Sequence, residues 1–179
     1  MKFNFDNYHH RQSIRLKGYD YSQNGAYFIT VCVQNKECIF GKIENEKIIL
    51  NQYGEIAKKY WLEISNHFPN VILDEFVIMP NHIHGIIIID ASVGVIHELP
   101  LQKMQIIRRK MLLPKIIGFF KMNVAKLINI KLNRQGQSIW QRNYYDHIIR
   151  DEKSLNEIRE YIVNNFLKWE LDRNNPKNL

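Results

Sequence analysis

The stretch Met79-Pro80-Asn81-His82-Ile83-His84-Gly85, followed directly by Ile86, Ile87, Ile88 and Ile89, decides the fold and the site of this chain. Its β-branched residues predict a strand over residues 82–89 that begins after a Pro80-Asn81 turn. Successive side chains of a strand point to opposite faces, so both imidazoles leave one face and Ile83 enters the other. Such a pair is half of a metal site, or two histidines that only satisfy hydrogen bonds on a half-buried sheet. A third ligand and a reactive group must come from elsewhere.

The composition indicates a globular protein with an anionic partner. The chain has 179 residues, of which 45% are hydrophobic, and a formal net charge of +7. The length suits a single domain over residues 1–179, and the charge favours nucleic acid or an acidic membrane surface. Apolar runs are far shorter than the roughly 20 residues that span a bilayer, and the first residues lack the apolar core of a secretory signal. We therefore expect a cytoplasmic protein in which Cys32 and Cys38 are buried thiols rather than a disulfide framework.

Two stretches lack clear periodicity. Residues 1–24 are a basic arm whose Arg11, Arg15 and Lys17 either contact phosphates or belong to a solvated terminus. Residues 90–114 contain Arg108 and Arg109, which are candidate DNA contacts. A loop of this length is usually functional or mobile, so we expect a variable connection there.

The rest of the chain alternates strand and helix patterns. Strands are predicted over residues 25–34, 71–79, 82–89 and 138–150, with a hairpin over 38–43 and 47–50. Helices are predicted over residues 55–67, 115–132 and 151–166. This order predicts an α+β fold of the ferredoxin-like sandwich kind, with one antiparallel sheet and helices mainly on one face.

The last predicted helix offers the groups that the histidine pair lacks. Tyr161 and Asn165 are four residues apart and share one flank of a stripe formed by Leu155, Ile158, Ile162 and Phe166. Taken singly, Tyr161 is explained by packing at the edge of a core and Asn165 by a position near a helix end. Taken with the histidines, an amide oxygen can be a third metal ligand. A tyrosine one turn away can then attack a phosphodiester.

Three motifs resemble the single-tyrosine HUH transposases, particularly their REP-associated branch. They are the stretch from Met79 to Gly85, then Trp140-Gln141-Arg142-Asn143-Tyr144-Tyr145-Asp146-His147-Ile148-Ile149-Arg150, and Tyr161-Ile162-Val163-Asn164-Asn165. The similarity extends from Arg11 to Trp169 and spares residues 90–114. One departure is Phe166, which stands where many relatives have proline, so the residue at which the helix ends is not determined by the motif.

The resemblance implies an HUH endonuclease fold and an enzyme that cuts and rejoins single-stranded DNA near hairpins. By motif position, His82, His84 and Asn165 would hold Mg²⁺ or Mn²⁺, and Tyr161 would form a 5′-phosphotyrosine link. The implied partner is single-stranded DNA with palindromic hairpins, and the implied protein is a nucleoid-associated monomer or homodimer without a membrane partner. The alternatives are a catalytically silent or domesticated hairpin-binding module and a metal phosphodiesterase that uses water.

Several residues keep two interpretations. Tyr144 and Tyr145 are rival nucleophiles, although their strand positions favour base stacking or packing. His147 is a further ligand or base, or a structural histidine. The remaining candidate DNA contacts are Lys121, Arg142, Tyr144 and Arg150, for which solvated surface positions are an equal alternative.

Overall fold

A computed structural model of the chain describes residues 19–90 and 111–178. Its elements in chain order are β1 (Gly25–Cys32), β2 (Gly41–Glu44), β3 (Lys47–Leu50), α1 (Gln52–His67), β4 (Val71–Ile78), β5 (His82–Ile89), α2 (Leu112–Lys131), β6 (Tyr145–Ile149) and α3 (Glu152–Val163). Short 3-10 helices lie at Gln34–Lys36, Asn165–Leu171 and Pro176–Asn178. Among these described residues, no helix has the length and apolar character needed to cross a membrane.

The main sheet has four antiparallel strands in the order β4-β5-β1-β6, and β2 and β3 form a separate hairpin. Strand β5 lies between β1 and β4, which precede and follow the hairpin and α1 in sequence, as in a split βαβ unit. This order confirms the predicted α+β, ferredoxin-like sandwich. Along the β1–β5 pair, Thr30 stands opposite His84 and Cys32 opposite His82.

Strand β5 is buried on both faces. Ile83, Ile87 and Ile89 belong to the larger core, which also contains the inward stripes of α1 and α2. Ile86 belongs to a smaller core on the other face together with Ile162 of α3. The isoleucines of β5 point to both faces of the sheet, so other elements must shield both faces from water. Two helices thus cover one face, as predicted, and α3 covers the face that carries the histidines.

Gly85 allows helix α1 to approach β5 beside His84. A Cβ atom at residue 85 would lie 2.3 Å from Cζ2 of Trp61 and 3.0 Å from Cβ of Phe76. Trp61 is fully buried and stacks on Phe76 with 6.0 Å between ring centroids. A side chain at residue 85 would displace this indole, so the glycine fixes the packing behind the histidine pair.

Local signals account for the hairpin and for α1. Asn45 and Glu46 both have positive φ, at 48° and 55°, as the two central residues of a type I′ hairpin turn require. Asn51 caps α1, since its side chain accepts hydrogen bonds from the backbone N–H groups of Tyr53 and Gly54. The hairpin and this helix were both predicted, and the helix begins three residues earlier than the periodicity suggested.

Helix α2 begins at Leu112, although the prediction started it at residue 115, after Pro114. Proline is tolerated in a first helical turn because its missing N–H would have no partner within the helix. The backbone N–H of Leu112 donates to the Ser22 hydroxyl, and that of Leu113 donates to the Tyr21 carbonyl. The end of the predicted basic arm therefore packs into the core, and the Tyr21 side chain is buried.

Three further expectations were wrong: the length of the last strand, the length of the last helix and the burial of the two cysteines. The strand predicted over residues 138–150 is regular only at Tyr145–Ile149, because Trp140 makes a single bridge with Val33 and Lys121 binds the carbonyl groups of residues 141 and 142. The final helix stops at Val163, and a 3-10 helix continues the chain. Cys38 is exposed and Cys32 is half-buried, so neither is the buried thiol that was expected.

Candidate active site

The two histidines converge on one point of the smaller-core face. Both side chains are buried, with 0% exposure for His82 and 3% for His84. Their Nε2 atoms are 3.1 Å apart, and the rings meet edge to face with centroids 4.6 Å apart. Two nitrogens bound to one divalent ion at about 2.1 Å and nearly at right angles would lie roughly 3.0 Å apart. The observed separation fits a shared cation.

A second hydrogen bond orients each ring. Nδ1 of His82 lies 2.9 Å from Oδ1 of Asn81, and Nδ1 of His84 lies 2.8 Å from the Thr30 hydroxyl. The Asn81 amide nitrogen donates to the carbonyl groups of Lys36 and Asn174, so its oxygen must accept from His82. Nδ1 of His82 therefore carries the proton and Nε2 has a free lone pair, as a metal ligand requires.

Burial keeps both imidazoles neutral. Desolvation, with a smaller contribution from the Arg173 charge, lowers the pKa of His82 to about 3. Desolvation and the neighbouring His82 lower the pKa of His84 well below its usual value. Neutral imidazole is the form that binds metal ions, so the pair needs no deprotonation at neutral pH.

Two oxygen-bearing side chains lie beside the pair. Asn165 is 2% exposed, and among residues 19–90 and 111–178 no donor reaches its buried Oδ1 atom. Asp172 places Oδ2 3.8 Å from Nε2 of His82, and one ligand atom from each of His82, His84 and Asp172 lies within 4.8 Å of the others. A buried carbonyl without a donor is costly unless something else binds it. Both oxygens suit a hard divalent cation, so the residues present fit the predicted metal.

Tyr161 borders the same point. Its hydroxyl lies 3.3 Å from Nε2 of His84, and its side chain is 41% exposed. Burial and the Asp172 charge raise the pKa of Tyr161, while a hydrogen bond with Asn165 and the charge of Arg173 act in the opposite direction. The phenol is therefore protonated at neutral pH, and its ionisation would need added positive charge nearby. A cavity of about 370 Å³ opens here, lined by Tyr161, Asn165 and the segment that carries Asp172.

Three contacts hold α3 so that Tyr161 reaches the histidines. Asp151 caps the helix by accepting from the backbone N–H of Ser154. Ile162 packs in the smaller core against β5. Arg159 donates hydrogen bonds to both carboxylate oxygens of Asp74, which lies at an irregularity in β4, and these bonds lower the pKa of Asp74. The helix is thus fixed to the sheet edge one turn before Val163, where it ends.

The predicted site residues are brought together, although one part of the reasoning changes. His82, His84, Tyr161 and Asn165 meet in one cluster. Asn165 is not on the same helix as Tyr161, because α3 ends at Val163 and Asn165 begins the following 3-10 helix. Asp172 was missed. It follows that 3-10 helix and shares no periodicity with the helix or the strand, so no sequence pattern pointed to it.

The remaining predicted DNA contacts are dispersed. Arg142 and Arg150 are exposed, Tyr144 is 7% exposed, and the Lys121 ammonium donates to the carbonyl groups of Gln141 and Arg142. A second cavity of about 450 Å³ beside β6 is lined by Arg150 together with the acidic Asp146 and Asp151. Arg11, Arg15, Lys17, Arg108 and Arg109 lie outside the described residues.

Comparison with known proteins adds sequence relatives and a shared fold. No protein-family profile matches the sequence. A Haemophilus influenzae protein described as uncharacterised is 48% identical over 173 residues, which cover 92% of this chain and 93% of that protein. A second protein of the same organism, provisionally named a REP-associated tyrosine transposase, is 26% identical over 152 residues, which cover 83% of this chain and 74% of that protein.

Among solved structures, a REP-associated tyrosine transposase bound to a REP hairpin aligns with a TM-score of 0.56 over 86% of this chain and 73% of that chain. At 16% identity this likeness shows the fold. The 26% identical relative and the solved structure both carry the name of the family that the three sequence motifs resemble. This chain is therefore similar in sequence to a provisionally named REP-associated tyrosine transposase and shares the fold of a solved one.

Proposed function

We propose that the protein is a metal-dependent endonuclease and strand transferase that acts on single-stranded DNA beside a hairpin. The observation that carries the proposal is the 3.3 Å approach of the Tyr161 hydroxyl to Nε2 of His84, beside a second neutral histidine and two oxygen donors. The solved relative is bound to a REP hairpin, which supports the choice of substrate for this chain. The net charge of +7 suits a phosphate backbone.

The proposed metal ligands are His82, His84 and Asn165, with Asp172 as a further oxygen donor that sequence reasoning did not identify. Asn81 and Thr30 would keep the two imidazoles aimed at the ion. When bound, Mg²⁺ or Mn²⁺ supplies positive charge to a non-bridging phosphate oxygen and to the nearby phenol. Two neutral imidazole nitrogens, one neutral amide oxygen and one carboxylate oxygen form a ligand set that is compatible with either ion.

Tyr161 would be the nucleophile. Its Oη atom attacks the phosphorus and forms a phosphate ester, while the bond from phosphorus to the 3′ oxygen breaks. The phenolic proton passes to water at the exposed part of the Tyr161 side chain, and the departing 3′ oxygen takes up a proton from water to become a hydroxyl. A 3′-hydroxyl that attacks the 5′-phosphotyrosine reverses these steps and joins strands. The bond energy is kept in the ester, so joining needs no nucleotide cofactor.

The positions of these groups in one chain support cleavage by a tyrosine acting on its own histidines. Asn165 and Arg173 favour the phenolate, and burial with Asp172 opposes it. The pKa of Tyr161 is raised in the absence of a cation, so the reaction should require the metal for ionisation of the nucleophile as well as for charge on the phosphate.

A labelled single-stranded hairpin taken from the DNA that flanks the gene tests the proposal. Incubation with Mg²⁺ or Mn²⁺ should give a protein–DNA adduct that survives denaturation, and EDTA should abolish it. Tyr161→Phe should form no adduct, whereas Tyr60→Phe, a change on α1 away from the site, should form as much as the wild type. Cleavage that persists in Tyr161→Phe would favour the water-using phosphodiesterase, and binding without cleavage in the wild type would favour the silent module.

A further inference from the structure

The face of the sheet that carries the histidines extends beyond α3 towards the edge strand β6. In the β1–β6 pairing, Tyr145 stands opposite Thr30 and His147 opposite Phe28, so all four side chains share the face of His84. Helix α3 packs mainly against β4 and β5. The strip formed by Phe28, Tyr145 and His147 is therefore left beside the helix, and Tyr145 is 42% exposed on it.

Ring contacts join this strip to the reacting groups. Tyr145 meets Phe28 edge to face with 6.3 Å between centroids, and Phe28 meets Tyr161 in the same way at 6.0 Å. Phe28 also stacks on the His84 ring at 5.3 Å. Tyr145 is thus one intervening ring away from both the nucleophile and a metal ligand. A DNA strand that places a phosphate at Tyr161 would bring the base of a nearby nucleotide over the ring of Tyr145.

Tyr144 and Tyr145 have opposite environments. The Tyr144 ring packs in the larger core with 7% exposure, whereas the Tyr145 ring faces the site. The strand alternation that buries Tyr144 explains this difference. Of the two adjacent tyrosines of the sequence motif, Tyr145 is the one whose ring can meet a ligand in this arrangement.

We propose that Tyr145 is a substrate-positioning platform on which one base next to the scissile phosphate stacks. This proposal rests on the proposed function, because it takes single-stranded DNA as the substrate. Stacking on an aromatic ring tolerates any base and strengthens binding of a strand by roughly 5- to 150-fold for each base. The platform would hold the strand in register with Tyr161 and leave sequence selection to other contacts.

The experiment uses the full chain in a Tyr161→Phe background, so that the DNA stays uncut. A single-stranded hairpin carries the fluorescent base 2-aminopurine, which is moved one nucleotide at a time along each flank. Fluorescence should be quenched at one flank position, and this quenching should disappear in Tyr145→Ala. Tyr145→Phe and Tyr145→Trp should retain it, because the ring face rather than the hydroxyl makes the contact. Ile72→Ala removes an exposed side chain from the distant end of the same face and is the matched control.

The expected dissociation constant rises roughly 5- to 150-fold in Tyr145→Ala and less than twofold in Ile72→Ala. With Tyr161 restored, Tyr145→Ala should raise KM by a similar factor and leave kcat within about a factor of two. Position-independent fluorescence, loss of binding in Tyr145→Phe, or equal losses in Tyr145→Ala and Ile72→Ala would each overturn the proposal. If quenching depends on Tyr145 but the wild type forms no adduct, the enzymatic proposal fails and the platform stands.

Discussion

Replacing Asn165 with leucine is expected to separate the stability of the metal-free protein from its response to metal. The side chain is 2% exposed, and its Oδ1 atom meets no donor among the residues that the structure describes. The amide N–H group of Asn165 donates a hydrogen bond to the phenol oxygen of Tyr161. Leucine has the same branched arrangement of four side-chain heavy atoms and lacks both polar groups, so the change tests the role of the carbonyl oxygen.

The magnitude follows from two opposing contributions. An unsatisfied buried acceptor costs about 1–3 kcal/mol, and the hydrogen bond that is lost contributes about 0.5–1.5 kcal/mol. The metal-free Asn165→Leu protein should therefore be as stable as the wild type, or more stable by about 1–2 kcal/mol. At a metal concentration of about 100 times its dissociation constant, the wild type should gain about 2.7 kcal/mol, which corresponds to a rise in Tm of roughly 5–11 °C. The variant should gain far less at the same concentration.

Thermal unfolding followed by circular dichroism, in EDTA and in increasing Mn²⁺, measures both effects. Asn129→Leu is the matched control, because Asn129 is also a buried amide whose Oδ1 lacks a donor within the described chain, and it lies on α2 away from the site. That control should keep the full metal-induced rise in Tm. The reasoning is refuted if Asn165→Leu loses more than about 2 kcal/mol without metal and still shows the wild-type rise with metal.

Four other changes have expected outcomes. Gly85→Ala should lower the free energy of unfolding by roughly 1–3 kcal/mol, because the new methyl group meets Trp61, and an unchanged urea midpoint would contradict this packing. Asp74→Asn should reduce adduct formation more than DNA binding, because its ion pair fixes α3; equal losses would argue against a positioning role. Mixing Tyr161→Phe with His84→Ala protein should give no adduct, since both groups act within one chain, whereas restored adduct would reveal exchange between chains. In EDTA, lowering the pH from ~7.5 to ~5 should reduce stability by at least about 2 kcal/mol, which is the contribution of His82 alone and to which His84 adds. His82 has a pKa of about 3 when folded and 6.5 when unfolded, so unfolding takes up a proton; a flat profile would contradict its buried neutral state.

The strand that carries the histidines could be predicted from sequence to the residue. Its apolar run, the preceding Pro80-Asn81 turn and the alternation of His82 and His84 all indicate the same element, and β5 covers residues 82–89 as expected. The α+β order followed from the alternation of periods 2 and 3.6 along the chain. Metal binding and the nucleophilic role of Tyr161 were also expectations from the motifs, and they stay predictions until the experiments above are done.

Features set by tertiary contacts could not be predicted. The final helix was extended to residue 166 because Phe166 continues the apolar period, but α3 ends at Val163 and Asn165 reaches the site from a 3-10 helix. Asp172 comes close to His82 only after that helix turns the chain back, which no local pattern encodes. Which of Tyr144 and Tyr145 faces the site depends on where β6 begins, and a strand predicted to begin seven residues too early leaves that choice open.

Mapping the covalent link tests the central claim, attack by Tyr161 on a DNA phosphodiester, most directly. The wild-type protein is incubated with the hairpin and Mn²⁺, the adduct is isolated under denaturing conditions, and its peptides are analysed by mass spectrometry after nuclease treatment. We predict a 5′-phosphonucleotide on the Tyr161 phenol and a released strand that ends in a 3′-hydroxyl, which a polymerase can extend. A link to another residue, or cleaved ends with free 5′-phosphate and no attached protein, would contradict the account.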